Sequence, residues 1–441
     1  MIDTVTGTPT PMRVTGWRCA VCDATLDIAT PFPWRCPNAT DTDRHHVLEI
    51  VEAGTGVGFE PGTFPTDTPD SSTTNPFVAH DADLAWAAYA DANAMGREVR
   101  RQLVNDLDDA VRSVAGTGFV PTPFGRSDEL SDALGFADGG GVWVKNETGG
   151  VAGSQKARHL FTILLHLLAA ERLGHLPSRA PLAIASCGNA ALAAATLARA
   201  ADWPIDVYVP TWMTDGFGAE LDRLGARVHR CERRPGDPAG DPAMFRFREA
   251  VAAGAIPFTV QGPENALALD GGRTIGWEIA EQLADQQVGE LDRIFVQVGG
   301  GAFATCIGAT HPAQRLHAVQ AEGCAPLARA WERADGDLEA GAHAVADRWG
   351  ELMTPWDNPH SIADGILDDE TYDWIGVFEA IGGDAPIVAA EADIVAAHAL
   401  ARSAGFDVSP TGSAGLAGLL AVLDAVQPTE RVAVVMSGLE R

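Results

Sequence analysis

The sequence predicts an α/β protein built on parallel sheets with helices on both faces, preceded by a small cysteine-bearing segment. Three observations predict it. From residue 142 onward, short apolar strands alternate with helices, the pattern of strands buried on both faces. Several of these strands run directly into a glycine-bearing turn and then a helix, the junction where open α/β sheets bind ligands. Three of the seven cysteines fall within residues 19 to 36, too few in too long a chain for a disulfide scaffold and closer to a thiol or metal site.

In chain order, residues 1–50 are short, turn-rich and cysteine-bearing, and read as a ribbon-like appendage. Residues 51–80 are rich in Gly, Pro, Thr, Ser and Asp and read as a linker. Residues 83–114 are predicted as one long helix, because Leu84, Ala87, Ala88, Met95, Val99, Leu103, Leu107 and Val111 recur near helical spacing. Strands are then expected at 142–145, 182–186, 205–210, 227–231, 257–260, 293–298 and 316–320. Helices are expected between them at 157–173, 190–201, 219–224, 242–252, 274–284 and 303–310.

Length and composition bound the function. A chain of 441 residues with 46% hydrophobic content supports two or three domains and a large core. A net charge of −29 repels phosphate backbones and anionic bilayers, which excludes a nucleic-acid or membrane partner. The longest apolar run, 160–170, is too short to span a bilayer. The first sixteen residues lack the basic start and apolar run of a signal peptide. The expectation is a soluble, cytoplasmic protein.

Four junctions carry chemistry. The first is Gly149-Gly150-Val151-Ala152-Gly153-Ser154-Gln155-Lys156. A lysine at the mouth of an apolar helix is poorly suited to the helix dipole, but desolvation there lowers its pKa and makes it nucleophilic toward an aldehyde, as a Schiff base requires. The second is Ser186-Cys187-Gly188-Asn189, whose helix start offers free N–H groups and whose Asn189 both donates and accepts. The third is Gly299-Gly300-Gly301-Ala302-Phe303, where backbone amides can wrap a phosphate. It lacks the spaced glycines of a dinucleotide site and the lysine of a P-loop. The fourth is a late strand ending at Ser437.

In this order, over roughly residues 118–441, the four resemble the fold type II pyridoxal-phosphate enzymes, the family of threonine synthase, threonine dehydratase and serine racemase within the tryptophan synthase beta superfamily. Thr122-Pro123-Phe124, 142–147, 272–279, 361–365 and 410–415 are similar to further landmarks of that family. The resemblance implies two doubly wound lobes with the cofactor in the cleft. Residues 81–141 would form an N-terminal helix and lead-in segment packing on the larger lobe. Residues 142–262 would form the smaller lobe and 263–441 the larger. It implies that Lys156 forms the Schiff base with pyridoxal 5'-phosphate and moves the Cα proton. Asn189 would meet the ring hydroxyl, Gly299, Gly300, Gly301, Ala302 and Phe303 the phosphate, and Ser437 the pyridine nitrogen. Thr148, Ser154, Ser186 and Cys187 are the candidates for the substrate carboxylate. Departures from the family pattern at Gln155, Ala157, Cys187 and Ser409 surround the substrate rather than the cofactor.

The activity implied is β-elimination or β-replacement on a hydroxy or O-substituted amino acid, as in threonine dehydratase. The alternatives are γ-replacement on O-phosphohomoserine, as in threonine synthase, with Arg158 and Arg273 as the available cations, and a non-catalytic homologue that binds a partner. A homodimer is expected. Cys19, Cys22 and Cys36, with His45 or its neighbour His46 as the fourth ligand, spell a candidate zinc site. The segment resembles the cysteine-rich ribbon of some threonine synthase relatives, with or without its metal.

Overall fold

The computed structural model describes residues 11–40, 43–53, 75–334 and 342–441. Of the predicted linker, residues 54–74 lie outside the described residues. In chain order the strands are β1 (Val14–Cys19), β2 (Thr25–Asp27), β3 (Leu48–Glu52), β4 (Phe124–Ser127), β5 (Gly141–Asn146), β6 (Leu182–Ala185), β7 (Ile205–Pro210), β8 (Arg227–Cys231), β9 (Ile256–Pro257), β10 (Leu291–Gln297), β11 (Ala313–Ala321), β12 (Ile387–Ala389) and β13 (Arg431–Met436). They form three sheets: an N-terminal β2-β1-β3, a six-stranded β12-β11-β10-β13-β5-β4 and a four-stranded β8-β7-β6-β9. The N-terminal sheet is antiparallel. The two larger sheets are parallel apart from the β4/β5 pair.

The topology brings the candidate junctions together. In the six-stranded sheet, β10, β13 and β5 are neighbours. Their carboxyl ends lead into the glycines at 299–301, Ser437 and the Glu147–Lys156 turn, so ligand groups converge at one sheet edge. In the four-stranded sheet, β6 ends at Ala185 and delivers Ser186–Asn189 to the helix Asn189–Ala200. The helix Lys156–Arg172 is apolar nearly all round, with Leu160, Phe161, Ile163, Leu164, Leu165 and Leu167 fully buried, as an internal helix must be.

Three predicted features differ from the structure. The expected helix at 83–114 is two, Ala85–Ala92 and Arg97–Ala115. Asn93 closes the first by bonding back to the Tyr89 carbonyl at 2.9 Å, and Ala94 turns left-handed at φ 67°. The apolar spacing continues across this break, so periodicity could not reveal it.

These helices also pack on the smaller lobe rather than the larger one. Leu103, Val104, Leu107 and Val111 join the core formed with Phe161, Leu164 and Ala191. Phe77 and Phe119 lie 4.7 and 4.2 Å from the Phe161 ring. Finally, β5, predicted to open the smaller lobe, pairs with β13 along 141–146 inside the six-stranded sheet. A strand buried on both faces reads the same in either sheet. Only pairing across the chain assigns it.

Candidate active site

The lysine segment is fastened to the end of the last strand. Ser154 bridges Gly438, the Gln155 amide donates to the Ser437 carbonyl at 3.1 Å, and the Leu439 amide donates to the Gly153 carbonyl at 2.8 Å. Lys156 is the first residue of its helix and is half-buried. Its Nζ makes no hydrogen bond or ion pair with a described residue. Burial disfavours its charge, Asp368 and Asp373 favour it, and the balance falls below the ordinary lysine value.

The sequence holds only two lysines, at 145 and 156, against 29 arginines. Lys145 is fully buried and engaged, with Nζ 2.6 Å from Glu278 and 2.9 Å from the Thr122 carbonyl. Sequence reading missed this scarcity, which removes surface chemistry as an explanation for Lys156.

Beside it stands the glycine loop. Gly301 has φ 99°, a conformation that favours glycine, and a side chain there would press on Val377 and Thr371 at 3.0 and 3.1 Å. A Cβ on Gly299 would collide with Asp368 Oδ2. Ser437 Oγ accepts from Gln297 Nε2 at 2.6 Å. Asn189 lies against the same turn: a Cβ on Gly438 would sit 2.6 Å from its Nδ2. Its Oδ1 accepts from Arg441 Nε at 3.2 Å. The structure thus sets the Lys156 segment, Asn189, Ser437 and the Gly299–Gly301 turn at neighbouring strand ends.

A family model described as pyridoxal-phosphate dependent enzyme matches residues 116–438. The chain belongs to this pyridoxal-phosphate-dependent enzyme family. It is 29% identical over 317 residues to threonine synthase of Methanosarcina acetivorans, covering 69% of this chain and 70% of that protein. It is 26% identical over 314 residues to L-threonine ammonia-lyase of Thermotoga maritima, covering 70% and 69%. Its fold is similar to that of threonine deaminase isoform 2 from Solanum lycopersicum, with a TM-score of 0.57 at 19% identity over 78% of this chain and 85% of that one.

The residues present fit the family's cofactor. Burial lowers the lysine's pKa, the glycine turn carries no side chain of its own where a Cβ would meet Asp368, Val377 and Thr371, and Ser154 Oγ, Gln155 Oε1 and Asp373 Oδ1 are buried polar atoms without a partner among the described residues. Unpartnered buried polar atoms are costly, and these three, next to Lys156 in the chain or in its electrostatic surroundings, are open to a polar occupant. Ala302 and Phe303 are buried where their helix starts.

Of the substrate candidates, Thr148 Oγ1 donates to Asn146 Oδ1 at 2.8 Å, and Ser186 Oγ accepts from the Gly188 amide at 3.3 Å. Cys187 is half-buried, and burial, followed by Asp241, Asp364 and Asp368, pushes its thiol up to about 12. It is therefore a neutral thiol at pH 7 rather than a nucleophile.

Sequence reading also missed Asp368 and Asp373. Burial raises them to about 6 and about 7, against the pull of Lys156. Their only sequence signal was the acidic run at 368–373 that follows the 361–365 landmark, and such a run usually means a solvated loop.

Under the site lies a buried ion network. Arg158 bonds Glu147 at 2.9 Å and Glu278 at 2.6 Å, and Lys145 completes it. Burial alone would raise Glu278, but Arg158 and Lys145 outweigh it and hold the carboxyl below its ordinary range. Arg273 is engaged as well, with Glu52 at 2.8 Å, Asp270 at 2.9 Å and the Asp83 carbonyl at 2.6 Å. The expectation that Arg158 and Arg273 are available to a second substrate anion is thus corrected: both hold the scaffold.

At the end of β1 and in the loops beside the N-terminal sheet, one ligand atom each from Cys19, Cys22, Cys36 and His46 lies within 4.8 Å of the others. His45, the predicted fourth ligand, is not among them: its ring packs tilted against Trp349 at 4.2 Å. Of the two adjacent histidines only His46 reaches the thiols, while His45 is turned to Trp349.

Proposed function

We propose that this enzyme catalyses β-elimination or β-replacement on a hydroxy or O-substituted amino acid, with Lys156 as the group that carries the cofactor and takes the Cα proton. The observation that carries this reading is the half-buried, unpaired Lys156 amine in a chain whose only other lysine is engaged in an internal ion pair. Bound pyridoxal phosphate supplies an aldehyde for that amine and an electron sink for charge at Cα.

The chain's own residues do the rest. Gly299, Gly300, Gly301, Ala302 and Phe303 would hold the phosphate, Asn189 the ring hydroxyl and Ser437 the ring nitrogen. A hydroxyl at 437, unlike a carboxylate, does not enforce ring protonation. Ser154, Thr148, Ser186 and Cys187 would take the substrate carboxylate, with the unpartnered Ser154 Oγ as the first donor.

β-Chemistry is favoured over γ-replacement on O-phosphohomoserine by the electrostatics. A phosphorylated side chain needs cations, yet Asp241, Asp364 and Asp368 face Cys187, and Asp373 faces Lys156. Arg441 reaches the cleft but is held by Asn189 Oδ1 and the Ala152 carbonyl. The test is a substrate panel of serine, threonine, their phospho-forms and O-phosphohomoserine. Serine or threonine should yield a 2-oxo acid and ammonia while O-phosphohomoserine is left intact. Turnover of O-phosphohomoserine alone would overturn the reading in favour of a threonine synthase.

The reading includes zinc at Cys19, Cys22, Cys36 and His46. A tetrahedral zinc with bonds of about 2.3 Å spaces its sulfurs about 3.8 Å apart. Here Cys22 and Cys36 Sγ lie 3.5 Å apart, and Cys19 Sγ lies 3.4 Å from His46 Nδ1. Backbone amides of Val21 and Asn38 donate to Cys19 and Cys36 at 3.4 Å each. Asp43 bonds His46 Nε2 at 3.1 Å, the outer support that metal-bound histidines use. The purified protein should carry about one zinc per chain by elemental analysis. His46→Ala should lose it and His45→Ala should keep it, and equal zinc in both variants would refute the ligand set.

A homodimer completes the reading. It is supported by the exposed side chains of Ile362, Val388 and Val395, of which Val388 lies on β12, the edge strand of the six-stranded sheet. Light scattering decides it. The seven free cysteines support a reducing compartment such as the cytoplasm, and none of the described helices is long and apolar enough to cross a membrane.

A further inference from the structure

The glycine loop already faces an anion of the protein's own. Asp368 follows the turn Asp364–Ile366, and its Oδ2 fills the space a side chain on Gly299 would need. A Cβ on Gly300 would be 3.7 Å from the same oxygen. The Gly300 amide, beside the carboxylate, favours its charged form. This is the donor that a phosphate seated in the loop would use.

The segment is fixed on both sides. Cys324 Sγ donates to the Asp368 carbonyl at 3.2 Å, the Trp356 amide donates to the Asp369 carbonyl at 2.8 Å, and the Asp373 amide donates to the Gly300 carbonyl at 2.8 Å. The carboxyl group therefore stays within reach of the loop. Around it stand Lys156, which stabilises its charge, and Asp241, Asp369, Asp373, Tyr372, Cys187 and Cys324, which oppose it or are neutral.

A phosphate dianion and a carboxylate sharing one donor set cannot both remain charged at low cost. A protonated carboxyl, in contrast, donates to a phosphate oxygen. We propose that Asp368 links cofactor uptake to a proton: its carboxylate holds the glycine loop when the cofactor is away, and it binds one proton when the phosphate enters. This rests on the reading that residues 299–301 hold the phosphate.

The sign follows from linkage. The free carboxyl sits at about 6, and a neighbouring phosphate raises it further. Phosphate binding is therefore at full strength below that value and weakens as pH rises above it. The phosphate's own second ionisation, near pH 6, is nearly complete above about pH 7.

The experiment compares dissociation constants of pyridoxal phosphate and of pyridoxal, which lacks the phosphate, for the cofactor-stripped full chain from about pH 7 to about pH 8.5. Tryptophan fluorescence and the yellow absorbance band give the readout. The ratio of the two constants should rise with pH by up to about tenfold per unit. Asp368→Asn should flatten that slope and tighten pyridoxal phosphate at least about tenfold at about pH 8.5, with pyridoxal unchanged. A flat wild-type ratio with both compounds bound would overturn the proposal, and it decides the matter even if the variant fails to fold. Failure of both compounds to bind would overturn the proposal together with the cofactor assignment on which it rests, and so is distinguishable from a flat ratio.

Discussion

Lys156→Ala protein is expected to lack the yellow absorbance band and to eliminate serine or threonine on the order of 10⁴-fold more slowly than wild type, because one substitution removes both the covalent attachment and the proton carrier. No other side chain can take over. Lys145, the only remaining lysine, is fully buried with its amine held between Glu278 and the Thr122 carbonyl. Lys156→Arg should be equally inactive, since guanidinium does not deprotonate in proteins and so cannot serve as a base. A thermal unfolding midpoint close to wild type would separate this chemical loss from a folding defect. A Lys156→Ala variant that kept the band would show that the cofactor is attached elsewhere.

The second large effect falls on stability. Arg158→Ala should lower the free energy of unfolding by about 3 to 5 kcal/mol, read from urea denaturation, because it leaves Glu147 and Glu278 buried with Lys145 as their only close cation. Glu278→Ala should cost about as much by stranding Arg158 and Lys145. Since Glu278 is held below its ordinary range, its contribution is fully present above the unfolded carboxylate value and is lost as pH falls through the depressed one. Wild type should therefore lose stability in acid more steeply than Glu278→Ala. Replacing Arg158, Glu147 and Glu278 together by apolar residues should recover much of the loss. A change below about 1 kcal/mol for Arg158→Ala would show that solvent reaches the network and screens it.

Much of the candidate site was legible because it sits at strand-to-helix junctions, where a few consecutive residues carry both the turn and the proposed function. Lys156, Asn189, the 299–301 glycines and Ser437 are of this kind. What could not be read depends on partners far away in sequence. The membership of β5 in the larger sheet is fixed by β13, nearly 300 residues later. The break at Asn93–Gly96 hides within an unbroken apolar period. Arg158 and Arg273 looked like free cations until Glu278, Glu147, Asp270 and Glu52 were seen to hold them. Asp368 and Asp373 looked like members of a solvated acidic loop, and only tertiary packing turns them toward Lys156. The choice between His45 and His46 turned on which way two adjacent side chains face.

The attachment point of the cofactor is the central claim, and the scarcity of lysine makes it directly measurable. Wild-type protein loaded with pyridoxal phosphate, reduced with borohydride and digested should yield one peptide bearing a pyridoxyl adduct, located by tandem mass spectrometry on Lys156. An adduct on Lys145 or on the N-terminal amine, or no stable adduct at all, would contradict the account.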